Sequence, residues 1–444
     1  MGPLVVIGGN AAGMSAAAEA RRTDAAREIT VLEAGPDVAY SSCGIPYVLS
    51  GEVESLDELV SATAQRFRRE RDIDVRTGAE AAAIDVEARR VRLADGDSVE
   101  YGALIVATGA RPLRPPIPGV GLPGVHTLRD LRSARLLGAA LGALDRPRAM
   151  LIGSGPIGLE MAEALRARGA RVTIVEVAPR ILPVLAADAA APVHAALAAA
   201  GVDLRAGANV SGIASAGQGL AVTVDGREER ADLVVLGTGV APAAGLAATA
   251  GCALGDRGAI AVDRRGRTSV EGVWAVGDCA VAHHALLGRA IWMPLATIAN
   301  AQGRVAGRDA AGRPARFAGA LGAWVSRFRE TAFGAVGIDE DVAAQEGLVP
   351  RAIVREGRDR SGYMPGVRRV LVRLVWDEPT GRLLGAQLAG EGEVAARLHT
   401  IAVAITAEMT IRELAECDFG YAPPVSPLRD PVELAAAAAV GDAR

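Results

Sequence analysis

Ala149-Met150-Leu151-Ile152-Gly153-Ser154-Gly155-Pro156-Ile157-Gly158 decides the fold of this chain. An apolar run enters a glycine turn, a helical pattern continues over 157–168, and a second apolar run over 171–175 ends in Glu176. Strand, turn, helix and strand in that order predict a right-handed parallel βαβ unit with its helix on the face of a sheet. The glycines have separate tasks. Gly153 permits the tight turn, Gly155 lets backbone approach a pyrophosphate, and Gly158 allows helix and strand to pack closely. The N-terminus of the helix faces the phosphates, and Glu176 is placed to accept hydrogen bonds from a ribose 2′-hydroxyl. The stretch therefore predicts a dinucleotide site, with Ile157 and Glu160 among the residues of its helix that touch the cofactor. No arginine follows Glu176 until Arg180, which favours NADH over NADPH.

The same unit stands at the start of the chain. An apolar run over 3–8 meets the turn Gly8-Gly9-Asn10-Ala11-Ala12-Gly13, a helical pattern over 11–22 follows, and a strand over 29–32 ends in Glu33. This fingerprint is degenerate, with Asn10 in the place of the usual middle glycine, but Gly8, Asn10, Ala12 and Gly13 still form the turn and Glu33 keeps the acidic ribose partner. A single G-x-G-x-x-G is weak evidence, because glycine turns are common. Two in βαβ context, each with its acid, predict dinucleotide binding. Two more apolar strands lead into glycine turns, Ala103-Leu104-Ile105-Val106-Ala107-Thr108-Gly109 and Leu233-Val234-Val235-Leu236-Gly237-Thr238-Gly239. Thr108 and Gly109 are expected at the first cofactor. The Pro-rich stretch 112–123 marks a crossing between domains. From about residue 313 alternating patterns such as Val370-Leu371-Val372-Arg373-Leu374-Val375-Trp376 predict antiparallel strands, followed by a helix over 394–406.

Composition sets further bounds. A length of 444 residues implies two to four domains. Half the residues are apolar and only 3% aromatic, which suits a large, finely packed α/β core. A net charge of −4 gives no global basic field to recruit nucleic acid or a membrane. There is no lysine, which excludes Schiff-base chemistry. Cys43, Cys252, Cys279 and Cys417 are widely spaced and show no metal-ligand pattern, a usage that suits a reducing cytoplasm. The first strand follows Met1 closely, so no signal or transit peptide is expected. The alanine-rich run near 184–202 contains Asp188, Pro192 and His194 and reads as a helix of a soluble protein rather than a membrane span. The paired His283 and His284 are expected to pack in a loop rather than bind metal.

Tyr40-Ser41-Ser42-Cys43-Gly44-Ile45-Pro46-Tyr47 carries the chemistry. A lone thiol can hold one covalent partner, as a mixed disulfide with a small thiol or as a sulfenic acid. No second cysteine lies close enough to close a local disulfide, so small molecules are the expected partners. The residues from Gly44 can open a helix with Cys43 at its N-terminus, since a proline in the first turn lacks only an N–H that would be unpaired. Such placement can lower a thiol pKa from about 8.5 to roughly 3.5–7.5.

Thr268-Ser269-Val270-Glu271-Gly272-Val273-Trp274-Ala275-Val276-Gly277-Asp278 resembles the second FAD fingerprint of two-dinucleotide flavoproteins. With it, essentially the whole chain resembles the single-cysteine flavoprotein disulfide reductases, a family of coenzyme A disulfide reductases, NADH oxidases and NADH peroxidases. Dithiol relatives carry a second cysteine where this chain has Val48. The resemblance implies an α/β fold with two Rossmann-like dinucleotide-binding domains, for FAD and NAD(P)H, plus a C-terminal α+β dimerisation domain. FAD would occupy residues 1–112 completed by 246–312, NAD(P)H residues 113–245, and residues 313–444 would form the dimer. Gly277 and Asp278 would meet the FAD ribityl chain or pyrophosphate.

Within that family the oxidase and peroxidase branch has a histidine in the first turn where this chain has Ala11. Asp418-Phe419-Gly420-Tyr421-Ala422-Pro423-Pro424 is similar to the coenzyme A disulfide reductase signature, and Tyr363, in Gly362-Tyr363-Met364-Pro365-Gly366, resembles that branch's second active-site tyrosine. Ser15, Arg22 and Arg429 fit substrate-binding positions, though Arg22 also reads as a solvated helix face; Asn300 is expected to line the active site, and Ser42 stands at a position that touches the substrate. Ala39, Ser42 and Glu19 depart from the serine, asparagine and glutamine common there, which weakens coenzyme A as the substrate more than it weakens disulfide reduction. Pro156 replaces a tyrosine that shields the flavin in many relatives. The reading that results is reduction of a low-molecular-weight disulfide, coenzyme A disulfide first, by NADH or NADPH through FAD and a Cys43 mixed disulfide. Tyr363 and Tyr421 would act from the other subunit of a homodimer. The rivals are an NADH oxidase or peroxidase cycling Cys43 through sulfenic acid, a polysulfide reductase, and a low-turnover redox sensor.

Overall fold

The computed structural model describes residues 2–442; residues 1, 443 and 444, at the ends of the first and last expected domains, lie outside the described residues. The chain divides into two compact units. One comprises the chain up to Leu113, Arg129–Arg135 and Val240–Ala320; the other comprises Arg114–Leu128, Leu136–Gly239 and the chain from Leu321 onward.

The first unit is built on a five-stranded parallel sheet. Its order is Val273–Ala275, Ala103–Val106, Leu4–Ile7, Ile29–Glu33, Asp74–Thr77. Every residue of Leu4–Ile7 and Ala103–Val106 is buried, which is why these strands read as continuous apolar runs rather than alternating ones. One face packs Leu4, Val6, Val31 and Ile105 against the helix Ala11–Thr23. The other packs Val5, Leu104, Val106 and Ala275 against Cys252 and Cys279. A second helix, Ala296–Ala310, lies across the first. The crossing is close because Gly303 and Gly307 face Ala12 and Ala16, where any Cβ would strike the carbonyl oxygens opposite. The sequence reading did not anticipate the antiparallel meander Ala81–Asp85, Arg90–Leu93, Ser98–Glu100. Its strands are three to five residues long and carry exposed arginines, so no hydrophobic period stands out.

The second unit repeats the parallel theme in the order Asp203–Ala206, Arg171–Glu176, Arg148–Ile152, Leu233–Leu236, Val125–Thr127, with the helix Pro156–Ala167 following the glycine turn. A second unanticipated meander is formed by Val210–Ala216, Gly219–Val224 and Arg227–Ala231. The C-terminal part is a five-stranded antiparallel sheet, Trp324–Phe328, Thr331–Gly337, Leu383–Gly390, Arg369–Asp377, Pro350–Arg358. The helices Val394–Thr406 and Pro431–Asp442 pack on it. The alanine-rich run forms the helix Ala187–Ala199, with Pro192 inside it. It docks on the C-terminal sheet through Ala186 N–H to Gln387 Oε1 (2.7 Å) and an Asp188–Arg373 ion pair of 2.9 Å. Among the described residues no helix is long and apolar enough to cross a membrane.

Candidate active site

The glycine turns have the shape a pyrophosphate requires. Gly8 at φ +109° and Gly153 at φ +100° both lie where a side chain would collide with a backbone carbonyl, Ala107 O and Gly237 O. Gly13 and Gly158 are equally closed, each against the carbonyl of the first glycine in its turn. Space over Gly155 is open. Neither following helix has a side-chain cap or an acidic residue in its first turn. Its first N–H groups and dipole are therefore offered to an anion rather than satisfied internally. Ala12 is buried within the first of these turns, and Ile157 is 41% exposed beside the second.

The two acids are held in parallel ways. Glu33 accepts from Gly9 N–H at 2.7 Å and Gly35 N–H at 2.8 Å. Glu176 accepts from Ser154 N–H at 2.8 Å and Ala178 N–H at 2.9 Å, and in addition from the Ser154 hydroxyl at 2.7 Å. Only 8% of Glu176 is exposed, so a rigid negative charge stands at the second turn. Ser154, which the sequence reading did not single out, also accepts from Leu182 N–H at 3.0 Å and so positions the loop behind Glu176. Glu160 has a partner outside the turn. Its carboxylate accepts from Ser326 Oγ at 2.9 Å, on the first strand of the C-terminal sheet. Burial pushes its carboxyl up, opposed by the Ser326 bond and reinforced by Glu163.

Thr108 donates its hydroxyl to Ala243 O at 2.7 Å, and Gly109 has φ +71°. Gly277 N–H donates to Gln302 Oε1 at 3.0 Å. Asp278 pairs with Arg129 at 3.1 Å, and the same guanidinium lies over Gly109. Arg129 is thus a positive group beside Gly109 and Asp278 that sequence reading missed, because no motif ties it to Asp278.

Cys43 is exposed, Cys252 and Cys279 are buried, and no disulfide joins the four cysteines. The expected helix N-terminus at Cys43 needs correction. Ser42–Gly44 forms a single 3₁₀ turn, Gly44 is the N-cap, and the helix Ile45–Ser50 has only six residues. Gly44 packs so tightly on Leu59 that a Cβ would collide with it, which fixes the turn ahead of Pro46. A helix under two turns aligns few peptide dipoles, so little of the expected thiolate stabilisation comes from it. Ser42 is half-buried in the same turn. The segment is anchored by Ala39, a non-glycine residue at φ +48°, whose N–H donates to Gly9 O at 2.8 Å and whose carbonyl accepts from Ser61 N–H at 2.9 Å. Three residues separate Ala39 from Cys43, so the Cys43 backbone lies within roughly 15 Å of Ala39, which is itself bonded to the first glycine turn. Half-buried Tyr40 has its phenol pushed up to about 12 by burial, with Asp130 and Glu33 adding to it, and stays protonated.

The residues matched to substrate binding on the two crossing helices do come together. Asn300 Nδ2 donates to Ser15 Oγ at 2.6 Å. Arg304 donates to Asn300 Oδ1. One turn further along, Glu19 is buried and takes Arg22 on one oxygen (2.9 and 2.6 Å) and Arg308 on the other (Nε at 2.8 Å). Burial alone would raise the Glu19 carboxyl, but the bonds and charges of Arg22 and Arg308 hold it below the ordinary range. Arg22 is therefore a solvent-exposed cation whose orientation is set by Glu19. Arg304 and Arg308 were not singled out from sequence; their spacing of four from Asn300 along one helix face was the available signal.

In the second unit Tyr363 and Tyr421 hydrogen-bond to each other, and both to Ser361. The pair is 73% and 48% exposed. The bond from Tyr421 pushes the Tyr363 phenol up, while the bonds from Tyr363 and Ser361 pull Tyr421 down. Ser361 N–H donates to Pro423 O at 3.1 Å, which ties the two tyrosine loops together. Arg429 pairs with Glu433 at 2.9 Å. No group of histidine, cysteine and carboxylate side chains that could hold a metal occurs among the described residues. His284 is buried, and Cys279 donates to Val276 O at 3.3 Å with its thiol pushed up by burial, so both are packing residues.

These features agree with comparisons to known proteins. A family profile described as pyridine nucleotide-disulphide oxidoreductase matches residues 2–303, and its dimerisation-domain companion matches residues 326–430. An NADH oxidase of Methanocaldococcus jannaschii is 34% identical over 438 residues, covering 97% of each chain. A CoA-dependent NAD(P)H sulfur oxidoreductase of Pyrococcus abyssi is 36% identical over 430 residues, covering 97% of this chain and 96% of the other. The solved structure of reduced CoADR-RHD from Bacillus anthracis superposes with a TM-score of 0.95 at 31% identity, covering 99% of this chain and 80% of that one. Two glycine turns of matching shape, each with its held acid, and a profile match running over most of the length lead to one conclusion: this chain is an enzyme and belongs to the pyridine nucleotide-disulphide oxidoreductase family.

Proposed function

We propose that the enzyme uses NAD(P)H and FAD to reduce a low-molecular-weight sulfur–sulfur bond, a disulfide or persulfide of coenzyme A, through a mixed disulfide on Cys43. The observation that carries this reading is Cys43, the most exposed of four cysteines of which Cys417 is half-buried and two are buried, on a turn tethered to the first dinucleotide fingerprint. The CoA-dependent sulfur oxidoreductase and the CoADR-RHD structure support the thiol carrier.

Gly8, Asn10, Ala12, Gly13, Glu33, Thr108, Gly109, Gly277 and Asp278 would hold FAD, and Gly153, Gly155, Ile157, Gly158, Glu160 and Glu176 the nicotinamide cofactor. When bound, the flavin supplies passage of two electrons from the reduced nicotinamide to sulfur. The residues of the chain do the rest. The Cys43 thiolate attacks one sulfur of R–S–S–R, forms Cys43–S–S–R and releases R–S⁻. Two electrons then cleave the new bond, returning the Cys43 thiolate and a second R–S⁻. Each turnover consumes NADH, a proton and the disulfide and yields NAD⁺ and two thiols. Ser15, Asn300 and Ser42 would orient the carrier thiol, with Arg22 and Arg429 on its phosphates. Tyr421, the phenol pulled down by its partners, would protonate the leaving sulfur while Tyr363 and Ser361 hold it, both tyrosines entering from the second subunit of a homodimer.

A second reading, NADH oxidase, is favoured by the Methanocaldococcus jannaschii relative; Ala11, where an oxidase-type histidine is absent, weighs against it. The deciding experiment measures NADH oxidation with coenzyme A disulfide, coenzyme A persulfide and oxygen as acceptors, and then identifies the Cys43 adduct by mass spectrometry of the denatured protein. Turnover on a sulfur acceptor with a thiol adduct supports the proposal. Turnover on oxygen alone, with Cys43 as sulfenic acid, would replace it with the oxidase reading.

A further inference from the structure

Beneath the short hairpin Ala282–His283/Ala290–Ile291 of the first unit lies a cavity of about 440 Å³ that shares no lining residue with either glycine turn or with the Cys43 segment. Arg264, Arg265, Arg289, Arg316, His283 and Phe317 line it. We propose that this cavity binds a small di- or triphosphate anion, at a site separate from both dinucleotides.

The charge balance is the first argument. Four arginines are among the lining residues against one lining carboxylate, Asp263. That carboxylate is committed to its own turn, since its Oδ1 accepts from Arg265 N–H at 2.8 Å and Arg267 N–H at 3.0 Å. Arg264 is held by neutral partners, donating to Phe317 O at 2.9 Å and Ala318 O at 2.6 Å. These bonds fix its position and leave its charge uncompensated. Arg265 has Asp309 at 3.5 Å. The other oxygen of Asp309 serves Arg267 at 2.7 Å and Trp274 Nε1 at 3.0 Å, so this carboxylate is shared. His283 is held below its ordinary pKa, first by burial and then by Arg264 and Arg316. At neutral pH it is an uncharged donor and acceptor in a positive field.

The second argument is position. On the helix Ala296–Ala310, Asn300, Arg304 and Arg308 recur every four residues and face the Ala11–Thr23 helix. Gln302 and Val305 project away from that face and form part of the cavity lining. Gln302 is fixed by Gly277 N–H and by its own bond to Val281 O at 2.8 Å, which makes that side rigid. The volume lies in the lower part of the range of roughly 300–1,000 Å³ typical of small-molecule sites. Planar guanidiniums match phosphate oxygens bidentately.

The test uses the full-length, FAD-loaded protein with saturating NAD⁺, so that the nucleotide turns are occupied. Inorganic pyrophosphate and triphosphate are titrated by calorimetry and by ³¹P line broadening into wild type, Arg316→Glu and Arg289→Glu. One anion per chain is expected to bind wild type, with at least tenfold weaker binding in each charge reversal and unchanged kcat/KM for NADH. If a reversal misfolds, Arg316→Gln is measured instead and is expected to weaken binding by threefold or more with normal FAD content. Absence of pyrophosphate and triphosphate binding to wild type, or equal affinity in the variants, overturns the proposal.

Discussion

Asn300 Nδ2 lies 2.6 Å from Ser15 Oγ, joining two helices whose bonded residues are 285 positions apart in the chain. The contact is possible because Gly303 and Gly307 let the helix backbones approach to where no Cβ would fit. It holds the polar groups of Ser15 and Asn300 in one fixed orientation, which would lower the ordering cost of binding in the proposed site.

Replacing the thiol separates the two half-reactions. Cys43→Ser is expected to keep FAD and to let NADH bleach the flavin at the wild-type rate, because that step needs only the two dinucleotide sites. Reduction of coenzyme A disulfide or persulfide should fall below detection. Stopped-flow absorbance and steady-state assays check both; undiminished sulfur turnover in the variant would remove Cys43 from the mechanism.

Glu19→Gln tests the carboxylate that orients Arg22 and Arg308. Glu19 is buried while its partners' side chains are 53% and 44% exposed, so the cost is put at about 1–3 kcal/mol, less than for a fully buried pair. The folded carboxyl is held below its unfolded value, so its stabilisation is present above the unfolded pKa and fades as pH falls through the folded one. The gap between wild type and variant in urea unfolding should therefore be constant near neutrality and shrink in acid. A gap that widens in acid contradicts the assignment.

The nicotinamide preference follows from Glu176. A buried carboxylate locked by Ser154 repels a 2′-phosphate, so kcat/KM is expected to favour NADH, and Glu176→Ala to narrow the gap, mostly through KM for NADPH. Ser154→Ala keeps the charge but frees the carboxylate, and should weaken NADH binding by the worth of one hydrogen bond, about 1 kcal/mol. A wild-type preference for NADPH would show that the carboxylate does not act on the ribose.

Tyr421→Phe removes a hydroxyl from the Tyr363–Ser361 network while keeping the ring. Folding, FAD content and flavin reduction should be normal, and sulfur turnover should fall by a general-acid factor of about 10²–10⁴. Mixing Cys43→Ser with a Tyr363→Phe/Tyr421→Phe double variant should restore partial activity in heterodimers, where one site has its thiol and both tyrosines. Heterodimers without activity would place the tyrosines elsewhere than the partner's site.

Both dinucleotide units were readable from sequence because each is local. A strand, a glycine turn, a helix and an acid-ended strand fall within about thirty consecutive residues, and every requirement of the turn is met by residues adjacent in the chain. The helix Val394–Thr406 and the long antiparallel strands were readable for the same reason, a sustained period of apolar residues. Cys43 was visible as a lone thiol after the first unit, but its place on a 3₁₀ turn was not, since Leu59 and Ser61 fix that turn from outside the motif. The two meanders escaped because three- to seven-residue strands are defined by their pairing partners rather than by their own pattern.

Sequence by itself determined the parallel α/β units, their two glycine turns and which cysteine is proposed to react, all of them read from short stretches of consecutive residues. Tertiary structure alone decided that Asn300 meets Ser15, that Glu19 bridges Arg22 and Arg308, that Arg129 meets Asp278 and that Tyr363 meets Tyr421. Apart from Glu19–Arg22, those pairs join residues far apart in the chain, and only the packing of helices and loops brings their charges and hydroxyls into register.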